Sequence, residues 1–173
     1  MNNEEYEVIY SARRTIALTV ARDGHLVVRA PYGTPKGRID PLLIRYADWI
    51  AKHRARRAEM AKREDALTEE DIRHLRKDAR IYLTACTAKY AALMGLTYGK
   101  ITITGAKGRF GSCSSKGNIS YSYRLMLYPE EAREYVVVHE LAHLVEMNHS
   151  PAFYAVVEKV LPDYKARRTL LKS

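Results

Sequence analysis

Three histidines and a glutamate in the stretch VVVHELAHLVEMNHS, residues 136–150, stand at spacings that suit metal chemistry. His139 and His143 are four apart, which stacks two side chains on one face of an α-helix. Glu140 lies between them, about 100° round the helix from His139. In this H-E-x-x-H arrangement the two imidazoles bind zinc and the carboxylate takes a proton from the attacking water. A third imidazole follows at His149. A catalytic zinc takes three protein ligands and keeps one position open. The sequence therefore offers His139, His143 and His149 as metal ligands and Glu140 as the catalytic carboxylate. One Zn²⁺ is the expected cofactor. Other divalent transition metals stay open, because imidazole suits several of them.

The neighbours of these residues sharpen the reading. Val136, Val137, Val138, Leu141, Ala142, Leu144 and Val145 cover nearly every direction around the helix, and a helix that is apolar all round is normally buried. Histidines and a glutamate buried there without partners would each cost roughly 2–7 kcal/mol. A metal, a water and a substrate would supply those partners. The helix is expected to end near Met147, with Asn148 in the left-handed conformation that closes helices and turns the chain back. Ser150 and Pro151 then read as N-cap and first residue of the next helix. That places His149 where it can reach the metal. The metzincin pattern H-E-x-x-H-x-x-G-x-x-H shares the histidine offset, but this chain has Glu146 in place of the glycine and no later Met-turn, so that label does not apply.

The elements that must position this helix follow from periodicity. Residues 6–31 alternate as strands, with a hairpin signal at Asp23-Gly24, and predict a small antiparallel sheet. Asp40-Pro41 predicts a helix start, followed by an apolar stripe of Leu42, Leu43, Tyr46, Trp49 and Ile50, with Trp49 as a core anchor. Residues 52–63, KHRARRAEMAKR, are dense in lysine and arginine and read either as a solvated face or as a track for a phosphate backbone. Thr68 to Asp71 is a capping-box-like start for a long helix to about Met94. Its inward face is expected to hold Ile72, Leu75, Ala79, Tyr82, Leu83, Cys86, Tyr90 and Leu93, and Gly95 is its C-terminal cap. Residues 98–125 return to strands, with a tight turn at Ser115 to Gly117. Tyr128 to Glu131 lead into the histidine helix. A helix from Pro151 carries Phe153, Val156, Val157 and Val160, and a short basic helix spans Asp163 to Lys172. His25, His53 and His74 fall on exposed or charged stretches and receive no role.

Composition narrows the class. A chain of 173 residues holds one domain, or one with a small extension. No apolar run is long enough to cross a membrane, and the acidic start MNNEEYEVIY is not a secretory signal. Cys86 and Cys113 are too few and too far apart for a disulfide framework. The expectation is a reduced, cytoplasmic protein with no membrane association, and a monomer is favoured. A net charge of +9 suits anionic partners, nucleic acid or nucleotides among them, as well as a plainly solvated basic surface.

Three blocks, RFGSCSSKGNISYSYRL, YVVVHELAHLVEMNHSPAF and LPDYKARRTLL, together resemble the YgjP-like family of metallohydrolases, related to SprT-like and compact gluzincin-type zinc peptidases. The resemblance spans nearly the whole chain and is strongest over 98–173. It implies an α+β fold: an N-terminal small antiparallel sheet and helix, then a zincin-like core with a long helix, a small antiparallel sheet and the HExxH helix. On that reading residues 1–65 form a β-rich extension with a basic helix, and residues 66–173 form the metallohydrolase core. It implies that His139, His143 and His149 are ligands, that Glu140 is catalytic, and that the strand beside the cleft can pair with an extended substrate. Family members commonly carry Trp before G-S-C-S; this chain has Phe110. Cys113 is read as structural, because three histidines already fill the protein's share of the site.

The chemistry implied is a zinc-dependent hydrolase, a polypeptide being the first substrate class. Tyr154, Tyr121, Tyr123 and Arg124 are candidates to stabilise the oxyanion. The same site acting on a nucleoside triphosphate is the alternative, although no G-x-x-x-x-G-K-[ST] loop is present. A third reading makes the chain a nucleic-acid-associated protein-processing module recruited by residues 52–63.

Overall fold

Residues 6–21 and 23–171 are described by a computed structural model. The acidic start, residues 1–5, and Lys172 at the expected end of the last helix lie outside the described residues. The chain divides into two compact units, Met1–Ala66 and Leu67–Ser173.

The first unit carries strands β1 (Tyr6–Ser11), β2 (Ala17–Val20) and β3 (Leu26–Pro31). The hairpin joins β2 to β3 as expected, with Gly24 at φ +84° and the Asp23 carboxylate accepting from the His25 N–H at 2.9 Å. The sheet is mixed rather than antiparallel, because β3 sits in the middle and runs parallel to β1. The physical reason lies in β3 itself. Leu26, Val28 and Ala30 are buried, so the most strongly alternating strand takes the centre, where both of its edges are paired.

Helix α1 (Lys36–Arg45) begins a turn before the expected start and runs through Pro41; α2 (Ala47–Asp65) follows after a break at Tyr46. Pro35, extended at the N-cap, marks the start that Asp40-Pro41 was expected to give. Ile39, fully buried, anchors the helix phase together with Ile50. Trp49 is therefore not a core anchor: it is 39% exposed and packs on His53, ring centroids 4.2 Å apart.

The second unit is built around α3 (Glu69–Met94). Its capping box pairs the Thr68 hydroxyl with the Asp71 N–H and the Asp71 carboxylate with the Thr68 N–H, and Gly95 closes it at φ +66°. The helix buries Ala79, Leu83, Cys86, Tyr90 and Ala91. Leu93 does not join them. It is 68% exposed and lines an open apolar groove with Met94, Leu96, Val145, Val156 and Val160.

The second sheet comprises β4 (Ile101–Thr104), β5 (Gly111–Cys113) and β6 (Ile119–Ser122) in the order β4-β6-β5. It too is mixed: β4 lies parallel and β5 antiparallel to β6. Ile119 and Tyr121 of β6 are fully buried, which again explains its central place. Gly117, at φ +74°, makes the expected β5–β6 turn. A 3₁₀ turn, Tyr123–Leu127, leads through Pro129 into α4 (Glu130–Ala142), followed by α5 (Pro151–Val160) and α6 (Tyr164–Leu170).

Helix α4 packs against α3, α5, α6 and β5, so the histidine helix is buried as its sequence predicts. Glu134 ties three of these helices together. Its carboxylate accepts from Lys89 Nζ on α3 at 3.2 Å and from Arg167 Nη1 on α6 at 2.7 Å. The α+β architecture stands, with a long helix, two small sheets and a buried histidine helix at the centre of the second unit.

Candidate metal centre

Helix α4 presents His139 and Glu140 from its last turn, and His143 is its C-cap. The helix thus ends earlier than the apolar pattern suggests. The turn continues through Leu144, Val145 and Glu146, whose N–H groups donate to the carbonyls of Leu141 and Ala142. Asn148 does not adopt a left-handed conformation: among the described residues only glycines have positive φ. The Glu146 carboxylate accepts from the Asn148 N–H at 3.2 Å instead, and Val145, past the helix end, is 56% exposed. His149 still returns to the site, because Ser150 caps α5 by accepting from the Phe153 N–H at 3.3 Å and Pro151 opens that helix.

The four expected site residues meet in one place. The ligand nitrogens of His139, His143 and His149 all lie within 4.8 Å of one another, and the Nε2 atoms of His139 and His149 are 3.0 Å apart. Nitrogens around a tetrahedral ion at about 2.0–2.1 Å stand roughly 3.3 Å apart, so the trio suits a divalent transition metal after a small side-chain adjustment. The far nitrogens are held as well. His139 Nδ1 is 3.4 Å from the Tyr135 hydroxyl, and His143 Nδ1 is 3.2 Å from the Glu146 carbonyl oxygen. Outer partners of this kind fix the tautomer and aim Nε2 inward. Phe153, fully buried, packs against all three rings at centroid distances of 4.8, 4.6 and 4.9 Å.

Electrostatics favour the ligand forms. Burial, then the neighbouring His143 and His149, then Arg168, push the His139 imidazole down to about 3. Burial also lowers His143, with hydrogen bonds to the backbone opposing it. Both shifts favour the neutral ring that a metal ligand must be. Burial raises the Glu140 carboxyl to about 7, with the charge of Arg109 drawing it back. A carboxylate poised there can both accept and return a proton.

An open cleft of about 320 Å³ lies over these groups. Its lining adds Arg109, Gly111, Ser112, Cys113 and Met147 to the three histidines and Glu140. Cys113 faces the cleft but is not among the converging donor atoms. None of the four expected oxyanion residues lines it. Tyr121 is fully buried and bonded to Thr87 at 3.0 Å. Tyr123 is buried beneath the guanidinium groups of Arg76 and Arg124, and Arg124 donates to the Gly105 carbonyl at 2.6 Å. Tyr154 stacks on Tyr164, with its ring centroid 6.4 Å from that of His149. Arg109 is the cationic residue that the cleft holds, and the only hint in the sequence was its place just before Phe110 and the G-S-C-S block. Phe110 packs edge-on against Tyr128, centroids 4.8 Å apart.

An α+β core bearing a triple imidazole cluster and a desolvated carboxylate in one cleft has the construction of a metal-dependent hydrolase. Comparison with known families agrees: the family described as YgjP-like, metallopeptidase domain matches residues 58–173. The chain belongs to the YgjP-like family, and it is a metal-dependent hydrolase. Among solved structures, it is similar to the metallopeptidase zymogen abylysin of Pyrococcus abyssi, at 27% identity and a TM-score of 0.48 over 51% of this chain and 90% of that one. It is also similar to the metallopeptidase zymogen jannalysin of Methanocaldococcus jannaschii, at 17% identity and a TM-score of 0.42 over 49% and 91%. A search of curated proteins found no match. No helix among the described residues is long and apolar enough to cross a membrane.

Proposed function

We propose that this chain hydrolyses peptide bonds at a single Zn²⁺ held by His139, His143 and His149, with Glu140 as general base. The observation that carries the reading is the convergence of three imidazoles beside a buried carboxylate on the wall of one open cleft. Zinc, when bound, would polarise the attacked carbonyl and make water a better nucleophile. Glu140 accepts the proton of that water and passes it to the leaving amine. Arg109, facing the cleft, offers a positive charge to the developing oxyanion.

The outer edge of β5 supports a peptide as substrate. Phe110 and Ser114 bond to β6 through the Ser122 and Asn118 backbones, so alternation directs the N–H and C=O groups of Gly111 and Cys113 away from β6. An extended backbone can pair with them. A nucleoside triphosphate finds less: among the described residues Arg109 is the single lysine or arginine lining the cleft, whereas several phosphate charges call for several donors.

The test is a turnover assay of the full chain loaded with Zn²⁺, offered unfolded polypeptides and, separately, nucleoside triphosphates. Peptide cleavage by the wild type is expected, with a loss of at least about a hundredfold in Glu140→Gln at undiminished zinc content. Unchanged turnover in that variant removes Glu140 as base, and phosphate release without peptide cleavage moves the function to the nucleotide.

A further inference from the structure

Gly111 opens β5 at the point where that strand meets α4. A Cβ built on it would lie 2.5 Å from Oε1, 2.7 Å from Cγ and 2.8 Å from Cδ of Glu140. Non-bonded carbon atoms settle near 3.5–4.0 Å, so a methyl group and this carboxylate cannot share the space. Glu140 is 5% exposed, so its carboxylate can give way to a methyl group only by shifting along the cleft that it lines, away from its present seat.

The need for glycine here is not a backbone need. Gly24, Gly33, Gly95 and Gly117 have positive φ, which accounts for their identity; Gly111 does not. A Cβ at Gly37 or Gly108 would meet nothing within 4 Å. At Gly105 the nearest atom is the end of the long Arg76 side chain, and at Gly99 it is the amide of exposed Asn118. Gly111 alone has all three of its nearest neighbours in the side chain of one site residue. What glycine supplies there is volume for Glu140.

We propose that Gly111 is a positioning residue for Glu140. The absent side chain leaves a seat in which the carboxylate lies against the β5 backbone, shielded from water and turned to the cleft it shares with the three imidazoles. The seat also sets the distance between the base and the strand on which an extended substrate would lie. This proposal rests on Glu140 being the base. A misplacement of about 1 Å at a reacting group costs on the order of a hundredfold in rate, so one methyl group is a sharp probe.

The experiment is a cycle of four full-length proteins: wild type, Gly111→Ala, Glu140→Ala and the double variant. Thermal midpoints are read with saturating Zn²⁺ and with excess chelator. Gly111→Ala should lower the midpoint in the Glu140 background and leave it unchanged or slightly raised in the Glu140→Ala background, where the clashing atoms are gone. The same drop in both backgrounds overturns the proposal. If Gly111→Ala alone fails to fold, a folded double variant supports the proposal, and an unfolded double variant refutes it. The kinetic arm expects kcat for a cleaved peptide to fall at least about tenfold in Gly111→Ala, with KM and zinc affinity within about threefold of wild type. Wild-type kcat in that variant refutes the seat as a catalytic device. Should Glu140→Gln keep full turnover while the thermal coupling persists, the assignment of the base has failed and the contact itself stands.

Discussion

Phe153 offers the most direct test of how the site is held. Its ring is fully buried and touches the imidazoles of His139, His143 and His149 at once, and it stands edge-on to Tyr154. It forms the apolar floor from which the ligand nitrogens rise. Truncation to alanine removes a whole aromatic side chain from a closed position, a change that costs about 3–5 kcal/mol. For a chain of this length about 2–4 °C of midpoint is lost per kcal/mol, so Phe153→Ala should melt roughly 6–20 °C lower. Phe153→Leu keeps most of the volume and should cost about 1 kcal/mol. The rings lose a wall as well as a neighbour, so zinc affinity should fall about tenfold in the alanine variant, as for other residues that orient ligands. Far-UV circular dichroism during heating reads the first quantity, and competition with a chromogenic chelator reads the second. A midpoint within about 2 °C of wild type, or full zinc affinity despite a large thermal loss, would refute the view that Phe153 both fills the core and aligns the ligands.

Three further outcomes follow from the same structure. Glu134→Ala should destabilise the protein by about 1.5–3 kcal/mol in urea titrations, since it strips Arg167 and Lys89 of a charged partner. Burial alone would raise the Glu134 carboxyl, but hydrogen bonds from Tyr90, Arg167 and Lys89 hold it below its ordinary value of 4.5. Its contribution is therefore present above that value and lost as pH falls through the lowered one, so wild type and Glu134→Gln should converge in stability on acidification below about pH 4.5. A gap that persists into strong acid would argue against the charge as its source. Ser150→Ala removes the cap bond to the Phe153 N–H and should cost about 1 kcal/mol. It should also weaken zinc binding, because His149 precedes the cap directly; calorimetric titration checks this, and an unchanged dissociation constant would mean that the loop holds His149 without the cap. Arg109→Gln should slow peptide turnover by about ten- to a hundredfold with zinc content unaltered, and equal kcat would return the oxyanion role to an unassigned group.

The histidine cluster was legible because its members are close in sequence and its helix signal is strong. Two histidines four apart need only a helix to meet, and Ser150-Pro151 announced the next helix. The cap chemistry at Thr68, Asp71 and Gly95 was equally readable, since caps are local hydrogen bonds between near neighbours. Local signals failed where packing had the last word. Pro41 has the signature of a helix start, yet it lies inside α1, two residues after the fully buried Ile39. Trp49 looked like core from its type alone, and it lies half in solvent against His53. The strand alternation in both sheets was visible, but strand order was not, because periodicity says which face is buried and nothing of which edge pairs.

Side-chain identity and spacing by themselves determined that this chain carries three imidazoles and a carboxylate able to converge, within an α+β chain whose long helix has clear ends. Only the folded arrangement decided what surrounds them. It excluded Tyr121, Tyr123 and Arg124 from the cleft, admitted Arg109, set Phe153 beneath the rings and pressed Glu140 against Gly111. The reason is one of range. A helix repeat and a capping bond act over a few residues, whereas a cleft is formed by segments some thirty residues apart whose meeting depends on how α4 and β5 share one core.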